Sequence, residues 1–122
     1  LRGLVGSEMC IRDRYYPESL ENVLRYVAPK INCPMIVTEN GIGTDDDEQR
    51  ISYVKTALEG LQRCIDDGLD IRGYYYWSFL DNFEWLYGYK PRFGLIEVDR
   101  ETLTRKSKKS LKFYQEIIEK SS

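Results

Sequence analysis

Residues 35–41 have the sequence Met-Ile-Val-Thr-Glu-Asn-Gly, a short apolar run that ends in a polar cluster. The apolar residues do not alternate with polar ones, which predicts a strand buried on both faces, as in a parallel sheet. Glu39 and its polar neighbours then lie at the carboxyl end of this strand. Because sites in parallel α/β proteins lie outside the carboxyl ends of the strands, the run predicts a site around Glu39.

Amphipathic helices are predicted on both sides of this strand. Pro17 suits the first turn of the earlier helix, and apolar residues then recur on one helical face. This first stripe consists of Leu20, Val23, Leu24 and Val27. The later helix has apolar residues at spacings of three and four, and Gly68 is suited to end it. Its stripe consists of Ile51, Val54, Leu58, Leu61 and Ile65.

A second strand, a hairpin and a last helix are predicted further along the chain. Residues 71–79 are rich in aromatic and β-branched side chains, which predicts a second buried strand. A hairpin is predicted from residues 93–98 and the segment that starts at Thr102, with its turn at residues 99–101. The last helix is predicted at residues 108–119. Strands that alternate with helices indicate βα units and a parallel sheet, so the expected fold class is α/β.

The length and charge of the chain restrict the class of protein. A chain of 122 residues fits one small domain. The formal net charge of -2 comes from 18 Lys and Arg against 20 Asp and Glu, and it favours neither a nucleic-acid partner nor an anionic membrane. No stretch approaches the roughly 20 apolar residues of a membrane span, and no secretory signal is visible. We therefore expect a cytoplasmic protein without nucleic-acid or membrane partners, and loss of a signal peptide together with an N-terminal part is the open alternative.

The absence of histidine restricts the chemistry further. Ser-His and Cys-His nucleophilic sites and His-based metal motifs are excluded, so acid–base chemistry must use carboxylates, tyrosines or lysines. The three cysteines, Cys10, Cys33 and Cys64, form no Cys-x-x-Cys pair. This pattern indicates free thiols in a reducing compartment rather than a disulfide framework or a zinc site. No metal and no cofactor are expected.

Tryptophans and a carboxylate follow the second predicted strand. Trp77 lies at its end, and Glu84 and Trp85 lie in the polar and aromatic segment that comes next. A tryptophan face stacks on the C–H face of a sugar, and a carboxylate accepts hydrogen bonds from neighbouring hydroxyls. A sugar site is therefore one explanation of these residues. A tryptophan buried in the core and a glutamate on a surface loop would explain them as well.

Several motifs are similar to those of the family 1 glycosidases. Residues 36–41, Ile-Val-Thr-Glu-Asn-Gly, resemble the nucleophile motif of that family. Residues 76–85, which end in Asp-Asn-Phe-Glu-Trp, and residues 88–95 resemble its glycone-binding strand and loop. Residues 98–110 resemble its closing hairpin and the start of its last helix, with Lys-Ser-Lys where the family often has Lys-Pro-Lys. The resemblance implies the C-terminal part of a (β/α)8 TIM barrel, about the last two βα units plus a β-hairpin excursion.

The resemblance also implies a role for each residue of the site. Glu39 would be the nucleophile of a retaining β-glycosidase, and Glu84 would hold two glycone hydroxyls at O4 and O6. Trp85 would hydrogen-bond at O3, Trp77 would form the stacking floor, and Phe93 would line the pocket wall. The substrate would be a β-glycoside or oligosaccharide with a terminal glucosyl or related unit. The family has a cis peptide bond after the residue that corresponds to Trp77.

The acid/base glutamate of the family is absent from this sequence. It lies in a Thr-x-Asn-Glu-Pro motif, which does not occur here. A retaining glycosidase needs two carboxyl groups about 5–5.5 Å apart, one of them protonated. Glu84 does not replace the missing acid, because in the family it faces the hydroxyls of the sugar. The resemblance therefore implies that the isolated chain is inactive and that its partner is the missing N-terminal part of the barrel.

The resemblance covers residues 15–122, and residues 1–14 do not share it. Two origins are open for residues 1–14, which are either translated adapter sequence or a divergent native segment. Two other functions are also open. The chain is either a non-catalytic carbohydrate-binding remnant, which would need Trp77, Glu84 and Trp85 but not Glu39, or part of a phospho-β-glycosidase. The second alternative is disfavoured because Glu84 would repel a 6-phosphate.

Overall fold

The computed structural model describes residues 15–121, so the predictions for residues 1–14 lie outside the described part of the chain. The helices are α1 (Ser19–Val27), α2 (Asp47–Asp66) and α3 (Lys109–Ser121). The strands are β1 (Met35–Asn40), β2 (Ile71–Tyr76), β3 (Ile96–Val98) and β4 (Arg105–Ser107). Short 3-10 turns occur at Ala28–Lys30 and Trp85–Tyr87. The order predicted from the sequence is confirmed for these elements.

The strands β1 and β2 form a parallel pair, as the alternation of strands and helices predicts. In the register of this pair Val37 lies opposite Tyr74, and Asn40 lies opposite Tyr76. The crossover between the two strands is α2, which makes a βαβ unit. The strands β3 and β4 form the predicted antiparallel hairpin. The carboxyl ends of β1 and β2 therefore meet at one edge of the sheet.

The core lies between the β1–β2 pair and the helices α1 and α2. Its buried members are Leu24, Val37, Leu61 and Cys64. Full burial of an aliphatic side chain of this kind stabilises the fold by roughly 1.5–3 kcal/mol. The core thus holds the two helices on one face of the two strands. It also fixes the position of the sheet edge at which the carboxyl ends of β1 and β2 meet.

The prediction that both strands are buried on both faces is wrong for the face opposite the helices. Ile36 is 56% exposed and Tyr75 is 63% exposed. The physical reason is that, within residues 15–121, only one face of the two strands packs against α1 and α2. These exposed residues are as hydrophobic as the residues of strands that are covered on both faces.

The helix α2 begins and ends at clear signals in the sequence. The side chain of Asp46 caps its first turn and accepts hydrogen bonds from the backbone N–H groups of Glu48 at 3.0 Å and Gln49 at 3.3 Å. After the helix, Gly68 has a φ of 91°, which L side chains rarely adopt. The prediction that Gly68 ends this helix is confirmed. Its buried face is rotated from the predicted stripe, because Ile65 is 38% exposed whereas Cys64 is fully buried.

Candidate active site

Glu39 is exposed near the carboxyl end of β1, where the pairing of the two strands is irregular. The register shifts between Val37 and Asn40. Val37 is buried in the core, and the Asn40 side chain donates to the Tyr53 hydroxyl of α2 at 3.3 Å. The Tyr74 hydroxyl donates to the Asn40 side-chain oxygen at 2.9 Å. Asn40 is thus held on the helix side of the sheet, and Glu39 beside it stays exposed to solvent.

The chain that follows Glu39 lies directly against the end of β2. The backbone N–H of Trp77 donates to the Asn40 carbonyl at 2.9 Å. A Cβ atom on Gly41 would overlap the carbonyl oxygen of Trp77, so only glycine fits at this position. The peptide bond between Trp77 and Ser78 is cis, as the resemblance implies. Glu39 and Trp77 are therefore joined through adjacent backbone at one sheet edge.

Replacing Gly41 by alanine is expected to destabilise the chain by at least about 1–3 kcal/mol, the usual cost of overpacking a rigid site. The added Cβ would meet backbone atoms of Trp77, which cannot rotate away. The measurement is the free energy of unfolding in urea. The matched control is Gly73→Ala, where the new Cβ would lie 3.3 Å from the movable side chain of Ile36. Equal losses in the two variants would contradict the close approach at Gly41.

Trp77 and Glu84 are brought together by a hydrogen bond. The indole N–H of Trp77 donates to one carboxylate oxygen of Glu84 at 3.1 Å. Glu84 is half-buried, and Trp77 is 36% exposed. A bond from a neutral donor to a carboxylate fixes the orientation of both groups. The indole plane and the carboxylate thus form one prearranged surface beside the end of β2.

Phe93 is attached to the same edge through Tyr76. The Tyr76 hydroxyl donates to the Phe93 carbonyl at 2.7 Å. The Phe93 ring lies against the chain that follows Glu39, since a Cβ on Gly43 would come within 2.8 Å of it. Phe93 is therefore positioned as a wall next to the end of β1.

Trp85 stands apart from the other predicted site residues. Its side chain is 86% exposed, and its φ of 39° is rare for a residue with a side chain. The loop around it is closed by a hydrogen bond from the Glu84 N–H to the Gly88 carbonyl at 2.8 Å. The structure thus brings Trp77, Glu84 and Phe93 to one edge with Glu39, and it leaves the Trp85 ring in solvent.

A buried arginine, Arg50, supports the loops at this edge of the sheet. The sequence analysis does not predict this role. Arg50 is 1% exposed, and its guanidinium donates to the Arg92 carbonyl at 2.7 Å, to the Thr44 carbonyl and to the Asp47 carboxylate. The residue before Phe93 is thereby tied to the start of α2. The helical spacing contains the signal, because Arg50 lies four residues before the buried Val54.

The Asp47 carboxylate connects Arg50 to α3. It accepts hydrogen bonds from the Ser110 hydroxyl at 2.7 Å and from the Ser110 backbone N–H at 2.9 Å. Burial by itself would raise the pKa of Asp47, but the bonds from Ser110 and Arg50 outweigh burial and hold that pKa below its ordinary value. Asp47 is therefore ionised in the fold and balances the buried charge of Arg50.

Two half-buried tyrosines, Tyr74 and Tyr76, line the helix side of the site. Burial raises the pKa of Tyr74 well above the ordinary value for a phenol. Burial also raises the pKa of Tyr76 to about 12, although the Arg50 charge opposes that rise. Both hydroxyls therefore remain protonated and donate hydrogen bonds over the physiological pH range.

The free energy of unfolding is expected to fall as the pH rises from about 10 to about 12. A phenol with an ordinary pKa of 10.0 ionises in the unfolded chain, whereas the pKa of Tyr76 in the fold is about 12. The stability is therefore fully present below pH 10 and is lost as the pH approaches the folded-state value. Urea unfolding at several pH values measures this slope. It should become shallower in Tyr76→Phe and stay unchanged in Tyr75→Phe; identical slopes in the two variants would refute the assignment.

Metal-binding clusters and membrane-spanning helices are both absent from residues 15–121. No group of three or more His, Cys, Asp and Glu side chains is arranged to hold a metal ion in this part of the chain. Among the helices described, none has the length and apolar character needed to cross a membrane.

Fold and site together define an α/β protein of the parallel class, with a carboxylate and tryptophan site at the carboxyl ends of its strands. The chain belongs to glycosyl hydrolase family 1, whose sequence profile matches residues 5–122. It is 42% identical over 113 residues to beta-glucosidase A of Acetivibrio thermocellus, covering 84% of this chain and 25% of that protein. It is 43% identical over 116 residues to the bifunctional beta-D-glucosidase/beta-D-fucosidase of Bifidobacterium breve, with coverage of 84% and 25%.

Solved structures agree with this assignment. The beta-glycosidase from Pyrococcus horikoshii matches with a TM-score of 0.80 and 46% identity, over 84% of this chain and 24% of that chain. Structures of this family are TIM barrels. The chain thus spans between about a fifth and a quarter of the length of the curated relatives it matches, 25% for beta-glucosidase A and 20% for beta-glucosidase 28 of Arabidopsis thaliana. The family match begins at residue 5, inside the segment 1–14.

Proposed function

We propose that the described edge is the nucleophile and glycone half of a retaining β-glycosidase site, built on about the last two βα units of the barrel. The observation that carries the proposal is the hydrogen bond from Trp77 to Glu84 at 3.1 Å, at the edge where Glu39 is the last residue but one of β1. A tryptophan face fixed beside a carboxylate is suited to a sugar ring with its hydroxyls. The assignment of Glu39 is supported by family membership and by its exposed position next to Trp77.

The proposed chemistry follows from these positions. The Glu39 carboxylate attacks the anomeric carbon while the bond to the leaving-group oxygen breaks and that oxygen takes a proton from a general acid. A glycosyl-enzyme ester forms at Glu39, and water then hydrolyses it with retention of configuration. Glu84 accepts hydrogen bonds from two glycone hydroxyls. Trp77 supports the ring, Trp85 donates to a further hydroxyl, and Phe93 forms the wall.

The general acid of this reaction is not among the residues proposed for the edge. Glu84 already accepts a hydrogen bond from the Trp77 indole and is assigned to the glycone. A general acid contributes roughly 10²–10⁴-fold to such a rate. We therefore propose that the isolated chain turns over aryl β-glucosides at a negligible rate, and that the N-terminal part of the barrel is its partner. The open faces at Ile36 and Tyr75 support this, because a closed barrel would cover them.

The test is covalent trapping by a 2-deoxy-2-fluoro-β-glucoside with a good leaving group. It is applied to a chimaera in which the matched residues of this chain replace the corresponding quarter of beta-glucosidase A. Mass spectrometry of a digest is expected to find the sugar on the peptide that contains Glu39, and no label in Glu39→Gln. A label on another residue of the chain would refute the assignment of the nucleophile.

A non-catalytic carbohydrate-binding function is the second candidate, and a specific observation favours it. The Trp77–Glu84 pair is complete within this chain and does not involve Glu39. Under this alternative, Glu39→Gln would leave sugar affinity unchanged and no covalent adduct would form. A phospho-β-glycosidase is disfavoured because Glu84 would repel a phosphate at O6. A reducing, cytoplasmic location is proposed on the basis of the free thiols of Cys33 and Cys64.

A further inference from the structure

The segment that carries Glu84 and Trp85 is closed at its base by the carboxylate of Asp81. Asp81 is 8% exposed, and one of its oxygens accepts the backbone N–H of Gly94 at 2.8 Å. The Lys108 ammonium bonds to both carboxylate oxygens, at 3.0 and 3.1 Å. The carboxylate therefore holds the first residue of the loop 81–94 against its last residue.

Lys108 fixes the other side of this closure. Its ammonium also donates to the Gly94 carbonyl at 2.7 Å, and its backbone N–H donates to the Leu95 carbonyl at 3.0 Å. Burial lowers the pKa of Lys108, and the Asp81 carboxylate opposes that shift. A partly buried ammonium that is bonded to one carboxylate and one carbonyl has a definite position. Lys108 precedes α3, so the loop is anchored to that helix.

The backbone at the loop base leaves no room for another arrangement. A Cβ on Gly94 would overlap the backbone nitrogen of Asp81 and would lie 2.7 Å from the Ile96 carbonyl oxygen. The Asp81 N–H donates to that same carbonyl at 3.0 Å. Arg100 donates to the Asp81 carbonyl, and its guanidinium lies 4.2 Å from the centre of the Tyr89 ring. The two ends of the loop and the hairpin turn thus converge on Asp81.

We propose that Asp81 and Lys108 form a positioning pair that holds the Glu84 carboxylate within hydrogen-bond distance of the Trp77 indole. Asp81 itself is buried, and its carboxylate already accepts three hydrogen bonds, so it does not reach a sugar. Its effect is exerted through the loop, since Glu84 follows it by three residues and Trp77 precedes it by four. The inference rests on the proposed function in one respect only, namely that Glu84 binds the glycone.

Trp77 and Trp85 are the two tryptophans of the chain, so its amide spectrum contains two indole N–H signals. The experiment measures hydrogen exchange at these signals by nuclear magnetic resonance in the full chain without sugar. Asp81→Asn keeps an oxygen acceptor for Gly94 but removes the charge that Lys108 pairs with. The exchange rate at the Trp77 indole is expected to rise about threefold to tenfold, the effect of losing one ordinary hydrogen bond. The rate at Trp85 is expected to stay unchanged.

The matched control is Asp99→Asn in the hairpin turn. Asp99 also accepts three hydrogen bonds, from the backbone N–H groups of Glu101 and Thr102 and from the Thr102 hydroxyl, and all three lie within the hairpin turn. Lys108→Arg is the second variant; it keeps the charge and loses the compact geometry of the ammonium, so a smaller rise at Trp77 is expected. An unchanged Trp77 rate in a folded variant of Asp81 or Lys108, or an equal rise in Asp99→Asn, would overturn the proposal.

The exchange measurement also separates this inference from the proposed function. It uses no sugar, so a rise at Trp77 supports the positioning pair whatever the chain binds. In the chimaera, Asp81→Asn is then expected to raise KM for an aryl β-glucoside while kcat changes little. The reason is that the variant weakens the contacts of Glu84 with the glycone and leaves the reacting atoms at Glu39 in place. A chimaera without glycosidase activity would contradict the glycosidase assignment and leave the exchange result intact.

Discussion

Glu39→Gln is expected to lower kcat for an aryl β-glucoside by at least about 10⁴-fold in the chimaera with beta-glucosidase A, as removal of a catalytic nucleophile does in other covalent mechanisms. Glutamine has nearly the same shape as glutamate, so the sheet edge and its contacts should persist. The amide lacks the negative charge that the proposed mechanism needs for attack on the anomeric carbon, so the proposed ester intermediate is not expected to form. The measurement is initial-rate kinetics over a range of substrate concentrations.

The matched control is Glu48→Gln, at the exposed first turn of α2. Glu48 accepts a hydrogen bond from the Lys109 ammonium on the surface, and a surface ion pair contributes little to stability. This variant is expected to keep kcat within about twofold of the parent, since surface substitutions have small effects. A loss in Glu39→Gln no larger than that in Glu48→Gln would rule out Glu39 as the nucleophile.

The helices and strands of this chain are predictable from the sequence because each is specified by residues within it or next to it. The apolar run before Glu39 predicts β1, and Gly68 predicts the end of α2 through its positive φ. The parallel pairing follows from the alternation of strands and helices. These features are specified by neighbouring residues, so a single sequence contains the information needed to predict them.

Burial and the supporting contacts of the site depend on residues far apart in the chain. The exposure of Ile36 and Tyr75 is not predictable from their hydrophobicity, since that hydrophobicity suits a sheet covered on both faces. Arg50 at the start of a helix resembles a solvated charge until its bond to the Arg92 carbonyl, 42 residues away, is known. The Asp81–Lys108 pair spans 27 residues in the same way. Such pairs are specified by tertiary packing and not by local pattern.

Asp47→Ala is expected to produce the largest loss of stability, about 3–5 kcal/mol, because it leaves the buried Arg50 charge without its carboxylate. Arg50 is 1% exposed, so water cannot replace the lost partner. The same change removes the acceptor for the Ser110 hydroxyl and backbone N–H at the start of α3. The free energy of unfolding in urea measures the loss. The matched control is the neighbouring Asp46→Ala, which removes only a helix cap and should cost about 1 kcal/mol.

The pH dependence gives a second measure of the same pair. The pKa of Asp47 is held below its ordinary value of 3.8, so its contribution to stability is fully present above pH 3.8 and is lost as the pH falls through the folded-state value. The acid limb of the unfolding profile should therefore be shallower in Asp47→Ala than in Asp46→Ala. In the double variant Asp47→Ala with Arg50→Met, no buried charge is left unpaired, so part of the lost stability should return. If the loss of stability in the double variant equals the sum of the losses in Asp47→Ala and Arg50→Met, the Asp47 carboxylate does not compensate the Arg50 charge.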